Sequence, residues 1–525
     1  MARWQSLLTG VIAVLLLLPG FATTAQDGPA TDFSAIDRYI EEQIDGSRIP
    51  GVALAIVEGD TVVHARGFGR AGDDRNVTPQ TPFPVGSLIK SFTALAAMQL
   101  VEDGRLDLDA PVQRYLPWFQ VADEDASARI TVRHLVNQTS GLSRETGIKP
   151  LYQGGEPTLE DLVRDLRKEK LNRPVGESYE YSNANFMTLA LIVQTVSGEP
   201  FDRYLEQHIL APLGMRQSSA SAEGAELERT SVYRYWFGQP VAVRDAYRPS
   251  EFQGEYLIAS ADDMARYLAM YLGQGSVEGA TILSPAGIEQ MLAPATNETT
   301  RQLLSTEFTF RYGMGWFVGP FGAAQDARWH LGELPYFNAW MVLLPERNLG
   351  VVVLINAGSQ LEFFEANEVM SRIPLGVVNI LEGAAPHEGR GLTSFYVAFD
   401  LIVLAFVAVQ LLALLRLVRG PLTLARPATA GQTLSLLRQT APLVWEVGLG
   451  LLLLIGWPAI TGMGWRGSWM SFPDLTLVLL VVAGLWLATA IVRVLRLSQA
   501  FRERRARQRA LAGRAGQRPA WATRV

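Results

Sequence analysis

Hydrophobic and polar positions divide the chain into a long region of mixed periodicity and a shorter one of nearly unbroken apolar runs. In the first, Phe33, Ile36, Ile40 and Ile44 recur at helical spacing within TDFSAIDRYIEEQID. GVALAIVEGDTVVHARGFG follows, two β-branched runs joined at Glu58-Gly59-Asp60, which predicts a hairpin. SFTALAAMQLVEDGRL predicts a helix closed near Gly104, and NFMTLALIVQTVSG one closed at Gly198. ADDMARYLAMYLGQG predicts a third, starting near Ser260 and ending near Gly273. Late in the region, YGMGWFVG, RWHLG, FNAWMVLLP and LGVVVLINAG are strand-like pieces separated by turns. Strands at both ends with helices between them predict an α/β domain over residues 27–388, its sheet assembled from the two ends.

The apolar region contains stretches at 395–417, 443–460 and 475–494, each about long enough to cross a ~30 Å hydrocarbon core. Val418–Thr440 carries Arg419, Arg426 and Arg438 and no acid, and Arg493–Val525 holds ten arginines against one acid, Glu503. Positive flanks mark the cytoplasmic side of a membrane. The first loop and the Arg-rich tail over 495–525 are therefore expected inside, and the 27–388 domain outside the cytoplasmic membrane. At the other end, Arg3, the apolar run Leu7–Leu18, the break at Pro19-Gly20 and small residues at 22–25 have the layout of a secretory signal peptide over 1–25. An uncleaved anchor is the alternative. The signal layout and the arginine asymmetry imply the same topology. Asp400 and Glu446 fall inside the first two spans, where an acid marks either an ion path or a helix contact. Helix contact or snorkelling is expected, because both lie near span ends and three spans are few for transport.

The net charge of -6 averages an acidic domain and a basic tail. A basic segment directly after a span reads as a membrane flank, not as a nucleic-acid arm. The chain has no cysteine, which excludes disulfides, thiolate nucleophiles and Cys-ligated metals. His64, His134, His208, His330 and His387 form no HExxH or other ligand pair, so neither metal nor cofactor is expected.

Three stretches carry chemistry. PVGSLIKSF places Ser87 and Lys90 one turn apart on one face of a helix. Ser87 there is either a helix cap or a nucleophile at the positive end of the helix dipole. Lys90 is either solvated or able to take the serine proton, provided its surroundings keep it partly neutral. In YEYSNANF, Tyr181 could share a proton with that pair, and Asn183 could anchor Lys90 and a substrate amide. The alternative is an aromatic staple and an Asn cap on the following helix. In RWHLGELPYF, Gly332 would let a substrate approach the backbone, and the N–H of Glu333 could join that of Ser87 as an oxyanion hole. His330 alone would be a half-buried strand histidine.

Taken in order, S-x-x-K, Y-x-N and H-x-G resemble the serine β-lactamase and penicillin-binding-protein family, most closely the class C β-lactamases and the carboxypeptidases, esterases and D-aminopeptidases related to them. HLVNQTSGL at 134–142, LAPLGM at 210–215, YGMGW at 312–316 and VVVLINAG at 351–358 are similar to that family's supporting segments. The resemblance covers residues 31–380 and implies a mixed antiparallel sheet flanked by helices, with a helical lobe. It also implies an acyl-enzyme mechanism with Ser87 as nucleophile, Lys90 and Tyr181 handling its proton, and Asn183, His330, Gly332 and Glu333 lining the substrate and oxyanion side. No G-x-S-x-G elbow surrounds Ser87, against an α/β-hydrolase. The family's third motif is often K-T-G or H-T-G, whose hydroxyl binds a substrate carboxylate. Leu331 stands at that place, Glu333 adds negative charge, and Pro335-Tyr336-Phe337 replaces P-G-F. These departures disfavour β-lactams and D-Ala-D-Ala termini and leave a small-molecule or peptide ester or amide as the expected substrate. A silent sensor domain and a transporter with a large ectodomain are the rival classes. Oligomeric state is open.

Overall fold

A computed structural model describes residues 33–515 apart from 73, 154, 222–226, 244–251, 304–305, 335, 359–367, 387–391, 421–430 and 463. The expected signal peptide, His387, Arg426, Pro335 and the end of the tail lie outside the described residues.

The amphipathic start forms α1 (Phe33–Ser47), and the predicted hairpin forms β1 (Gly51–Glu58) and β2 (Thr61–Gly69). Gly59 takes φ +58° at its turn, a conformation that costs glycine nothing. The serine stretch follows, a single 3-10 turn (Gly86–Leu88) leading into α2 (Ile89–Glu102). Ten successive residues of α2, Ile89–Met98, are buried, as expected for a helix apolar on every side. It packs against α4 (Asn183–Ser197), with the short α3 (Arg144–Gln153) crossing the start of α4. Gly198 at φ +80° closes α4 in the left-handed conformation common at helix C-termini.

A hairpin absent from the sequence-based expectation, β3 (Val232–Trp236) and β4 (Gln239–Val243), precedes α5 (Ala261–Leu272). The side chain of Ser260 caps α5, accepting from Asp263 N–H at 3.1 Å. The late strands are β5 (Thr299–Leu303), β6 (Thr306–Tyr312), β7 (Phe317–Phe321), β8 (Ala324–Leu334), β9 (Phe337–Leu344) and β10 (Leu349–Ile355). They join the early pair in one eight-stranded sheet of order β2-β1-β10-β9-β8-β7-β6-β5, antiparallel throughout. The two ends of the domain meet where Leu54 of β1 faces Val353 of β10. Every residue of β9 and β10 is buried, as central strands covered on both faces require. Both α5 and α6 (Glu368–Leu381) pack on β10, and α6 also packs on α1.

YGMGW, expected as strand, is mostly a turn between β6 and β7. Gly315 there takes φ +82°, and a Cβ on it would come within 2.8 Å of the Lys90 carbonyl oxygen. The turn is thereby free to lie directly on the start of α2.

Among the described residues, three helices are long and apolar enough to cross a membrane: Thr393–Arg419, Thr440–Thr461 and Pro473–Gly513. They belong to α7 (Leu392–Arg419), to α8 (Gly431–Leu451) with its continuation to Thr461, and to α10 (Pro473–Ala515). A short helix, α9 (Gly464–Ser471), joins the last two. The third helix runs well past the expected end at 494, because Ala, Arg, Gln and Leu are good helix formers. Glu446 of α8 is paired with Arg493 of α10 at 2.5 Å, a helix contact as expected for that acid.

Candidate active site

The turn that carries Ser87 is pinned from two sides. Phe83-Pro84 pairs antiparallel with Ile258-Ala259, and Val85 N–H donates to the Leu257 carbonyl at 3.1 Å. On the other side lies β8. A Cβ on Gly332 would sit 1.8 Å from the Val85 carbonyl oxygen and 3.0 Å from Ser87 N. Gly332 therefore makes room for the chain's own nucleophile turn, where the sequence suggested room for substrate. Gly86 answers it at φ +52°: a Cβ there would come 3.1 Å from the Phe337 ring and 3.4 Å from Glu333 N. The backbones of Ser87 and Glu333 thus run side by side, the arrangement an oxyanion hole needs.

Ser87 caps no helix. Neither the turn nor α2 has a side-chain cap. Its Oγ instead accepts a hydrogen bond from Lys90 Nζ at 3.1 Å. Lys90 is fully buried, and its Nζ also donates to Glu255 Oε1 at 2.8 Å. Nζ lies 5.2 Å from the centre of the Tyr181 ring and 5.8 Å from that of Phe186. Burial pushes the ammonium down, but the Glu255 carboxylate and Tyr181 more than reverse this, and the Lys90 pKa ends above its ordinary value. Lys90 is therefore held as an ammonium, whereas the proton-accepting role considered from the sequence requires a neutral amine. The ammonium's anchor is Glu255, in place of the expected Asn183.

Glu255 is the functional candidate that sequence reasoning missed. Its only signal is a lone acid in GEYLIAS, between a glycine and an apolar run. Burial pushes its carboxyl up and Lys90 pulls it down. With the two atoms at 2.8 Å, we place the proton on the lysine.

Tyr181 and Asn183 are held by the segment HLVNQTSGL. Gln138 at φ +59° accepts from Ser182 N–H at 2.9 Å and from Asn185 Nδ2 at 2.6 Å through its side-chain oxygen. Its main-chain oxygen accepts from Glu180 N–H at 2.9 Å. Ser140 Oγ donates to Asn185 Oδ1 at 2.5 Å. The bend that turns Tyr181 toward Lys90 is thus set by residues more than forty positions earlier. Asn183 is the first residue of α4 and half-buried, and the capping position is Ser182. The Asn-cap alternative is not what forms.

His330 is buried behind this cluster, not half-exposed. Its Nδ1–H donates to the Leu331 carbonyl at 2.8 Å, which leaves Nε2 to accept from the Tyr312 hydroxyl at 3.4 Å. Burial, and secondarily Lys90, pulls its pKa down to about 3, so it is neutral. Glu333 is half-buried on β8; burial pushes its carboxyl up, and Arg144 on α3 pulls it down. The described residues contain no group of three or more His, Asp or Glu placed to hold a metal. A surface cavity of about 630 Å³ lined by Gln80, Arg216, Asp262 and Arg266, among others, shares none of these residues.

The family model described as Beta-lactamase matches residues 36–370, more than half of the chain. Protein flp of Staphylococcus aureus (strain MW2) is 26% identical over 328 residues, 62% of this chain and 63% of its own length. The Unguisins hydrolase ungD' of Aspergillus campestris is 26% identical over 339 residues, 62% of this chain and 61% of its own. The chain thus spans less than two thirds of the length of these curated relatives. The octameric penicillin-binding protein homologue from Pyrococcus abyssi aligns with a TM-score of 0.58 at 26% identity, over 68% of this chain and 78% of its own. EstCE1, a hydrolase with promiscuous acyltransferase activity, aligns at 0.55 and 22% identity, over 66% of this chain and 98% of its own, a likeness of fold.

Proposed function

The chain belongs to the Beta-lactamase family, whose members are generally serine hydrolases, and we propose that it is a membrane-tethered hydrolase acting on an ester or amide through an acyl-enzyme on Ser87. The single observation that carries this reading is the contact at 3.1 Å between the buried Lys90 Nζ and Ser87 Oγ. A lysine with no exposed surface has left water to face Ser87, Tyr181 and one carboxylate, which serves no purpose of solubility or capping.

Ser87 Oγ bonds to the substrate carbonyl carbon, and its proton passes by way of Tyr181 to the leaving alcohol or amine as the scissile bond breaks. Lys90, kept cationic by Glu255, holds Oγ by hydrogen bond and stabilises negative charge as it develops there. The N–H groups of Ser87 and Glu333 receive the carbonyl oxygen as it becomes an oxyanion. Water then attacks the acyl carbon; its hydroxyl stays with the acid and its proton returns to Ser87. Asn183 lines the substrate side. His330, buried and neutral, supports the strand and supplies no positive field.

Leu331 offers no hydroxyl to a substrate carboxylate, and the Glu333 side chain opposes one. Both favour esters and amides without a carboxylate beside the scissile bond over β-lactams and D-Ala-D-Ala termini. The arginine asymmetry around the three apolar helices supports an extracytoplasmic hydrolase domain with a cytoplasmic tail.

The test is labelling of the membrane-inserted protein with a fluorescent fluorophosphonate and a fluorescent penicillin, Ser87→Ala serving as control. The reading expects a fluorophosphonate adduct that disappears in Ser87→Ala and little penicillin adduct. No Ser87-dependent adduct with either probe would remove the hydrolase. Penicillin labelling alone would return the site to peptidoglycan chemistry.

A further inference from the structure

The apolar helices touch the hydrolase domain at several points. Thr393 Oγ1 at the start of α7 donates to the Gly46 carbonyl at 3.2 Å, and the Tyr396 ring lies 6.0 Å from that of Tyr235 on β3. Arg234 Nη1, also on β3, donates to the Trp469 carbonyl of α9 at 3.1 Å. The Trp469 ring meets that of Trp236 edge-on at 5.5 Å. These contacts fix which part of the domain faces the helices.

That part is the rim of the candidate active site. Met470 of α9 packs into the small cluster that contains Tyr256, Tyr336 and Phe337. Phe337 in turn lies against Gly86, next to Ser87. On the other side of the site, α9 packs on α3. That helix carries Arg144, whose charge acts on Glu333, and Gly147, where a Cβ would come 2.4 Å from Asn183 N. Both lips of the site, Tyr336-Phe337 and α3, therefore rest on one short helix. α9 itself lies between the second and third apolar helices, so it belongs at the bilayer surface. Trp457, Trp465 and Trp469 cluster there, the residue type that favours the membrane–water boundary. Beside α9, between those two helices, is a wide-open cavity of about 560 Å³, mostly apolar, lined by Leu454, Trp465, Arg466, Trp469, Thr476 and Leu480. That size is within the usual range for a small-molecule site.

We infer that the site draws its substrate from the membrane: an ester or amide carried on a long acyl or alkyl chain, the chain lodged along α9 in this cavity and the carbonyl presented to Ser87. The inference rests on the hydrolase reading and adds the substrate class. A chain drawn from the bilayer is already out of water, so packing along α9, and not removal from water, would select it. A soluble, charged terminus gains nothing from such a rim. An amphiphile gains binding energy remote from the reacting bond, which a hydrolase can use to position the carbonyl.

The test uses the full-length protein in phosphatidylcholine vesicles with p-nitrophenyl laurate and p-nitrophenyl acetate, whose leaving groups are identical. The quantity read is the laurate-to-acetate ratio of kcat/KM. Two variants act on opposite walls of the cavity: Leu480→Trp fills it, and Trp465→Ala removes the rim aromatic. Fluorophosphonate labelling of each variant reports that its site has folded. The inference expects the ratio to fall about tenfold in Leu480→Trp and to fall in Trp465→Ala. A ratio unchanged in both labelled variants overturns the inference while leaving the hydrolase intact. A parent protein with no Ser87-dependent label removes the hydrolase reading itself, and the inference with it.

Discussion

Replacing Glu255 by glutamine keeps a hydrogen-bond acceptor beside Lys90 Nζ and removes the charge. Burial then becomes the main influence on the lysine, and burial lowers its pKa. The alkaline limb of kcat/KM for Glu255→Gln is therefore expected at lower pH than in the parent, with activity at neutral pH reduced about tenfold or more. An unmoved limb would show that Glu255 does not set the lysine's charge. His330 gives a prediction of stability. Its folded pKa of about 3 lies below the ordinary 6.5, so its contribution is present above 6.5 and lost as pH falls from there toward 3. Over that window the loss is about 1.4 kcal/mol per pH unit, because the unfolded chain binds the proton first. Thermal unfolding at pH 7 and pH 5 should show a shallower decline for His330→Gln than for the parent. Ser87 and Lys90 were legible as neighbours from one helix turn, whereas Tyr181 joined them only through the family resemblance, since nothing local links positions 90 and 181. Glu255 was not legible, since nothing local distinguishes a buried carboxylate from a surface one until its partner, 165 positions away, is known.

At the scale of elements, the sheet closes on the site through two glycines. Gly332→Ala places a methyl group on the Val85 carbonyl oxygen, and backbone cannot yield as a flexible side chain would. We expect a loss of about 1–3 kcal/mol, in line with overpacked sites, together with loss of fluorophosphonate labelling. Labelling at the parent level with unchanged unfolding temperature would contradict the close approach of β8 to the Ser87 turn. The joining of β1 to β10 was legible, because both ends of the domain carry apolar β-branched runs that need a partner. β5, β6 and the β3–β4 hairpin were not. TTRQL and TEFTFRY carry polar residues at most positions, and VYRYW is short and meets its partner hairpin strand across Phe237-Gly238. YGMGW read as strand for the opposite reason, its large aromatics standing in a turn that packs on α2.

At the scale of the whole molecule, the apolar helices carry the pair Glu446–Arg493, whose side chains are 6% and 22% exposed. Removing one partner leaves a charge in an apolar bundle. Glu446→Leu alone is expected to destabilise the bundle by about 3–5 kcal/mol, and Glu446→Leu with Arg493→Leu to recover most of it. Thermal unfolding in detergent distinguishes the two, and a double variant no better than the single one would assign the pair a different role. Everything above the level of stability depends on one bond, that between Ser87 and an acyl group. The most direct measurement is mass spectrometry of the protein acid-quenched during turnover of p-nitrophenyl acetate. The account predicts an acetyl group, mapped to Ser87 in the segment PVGSLIKSF and absent from Ser87→Ala. Turnover that persists in Ser87→Ala, or an acetyl group on any other residue, would contradict it.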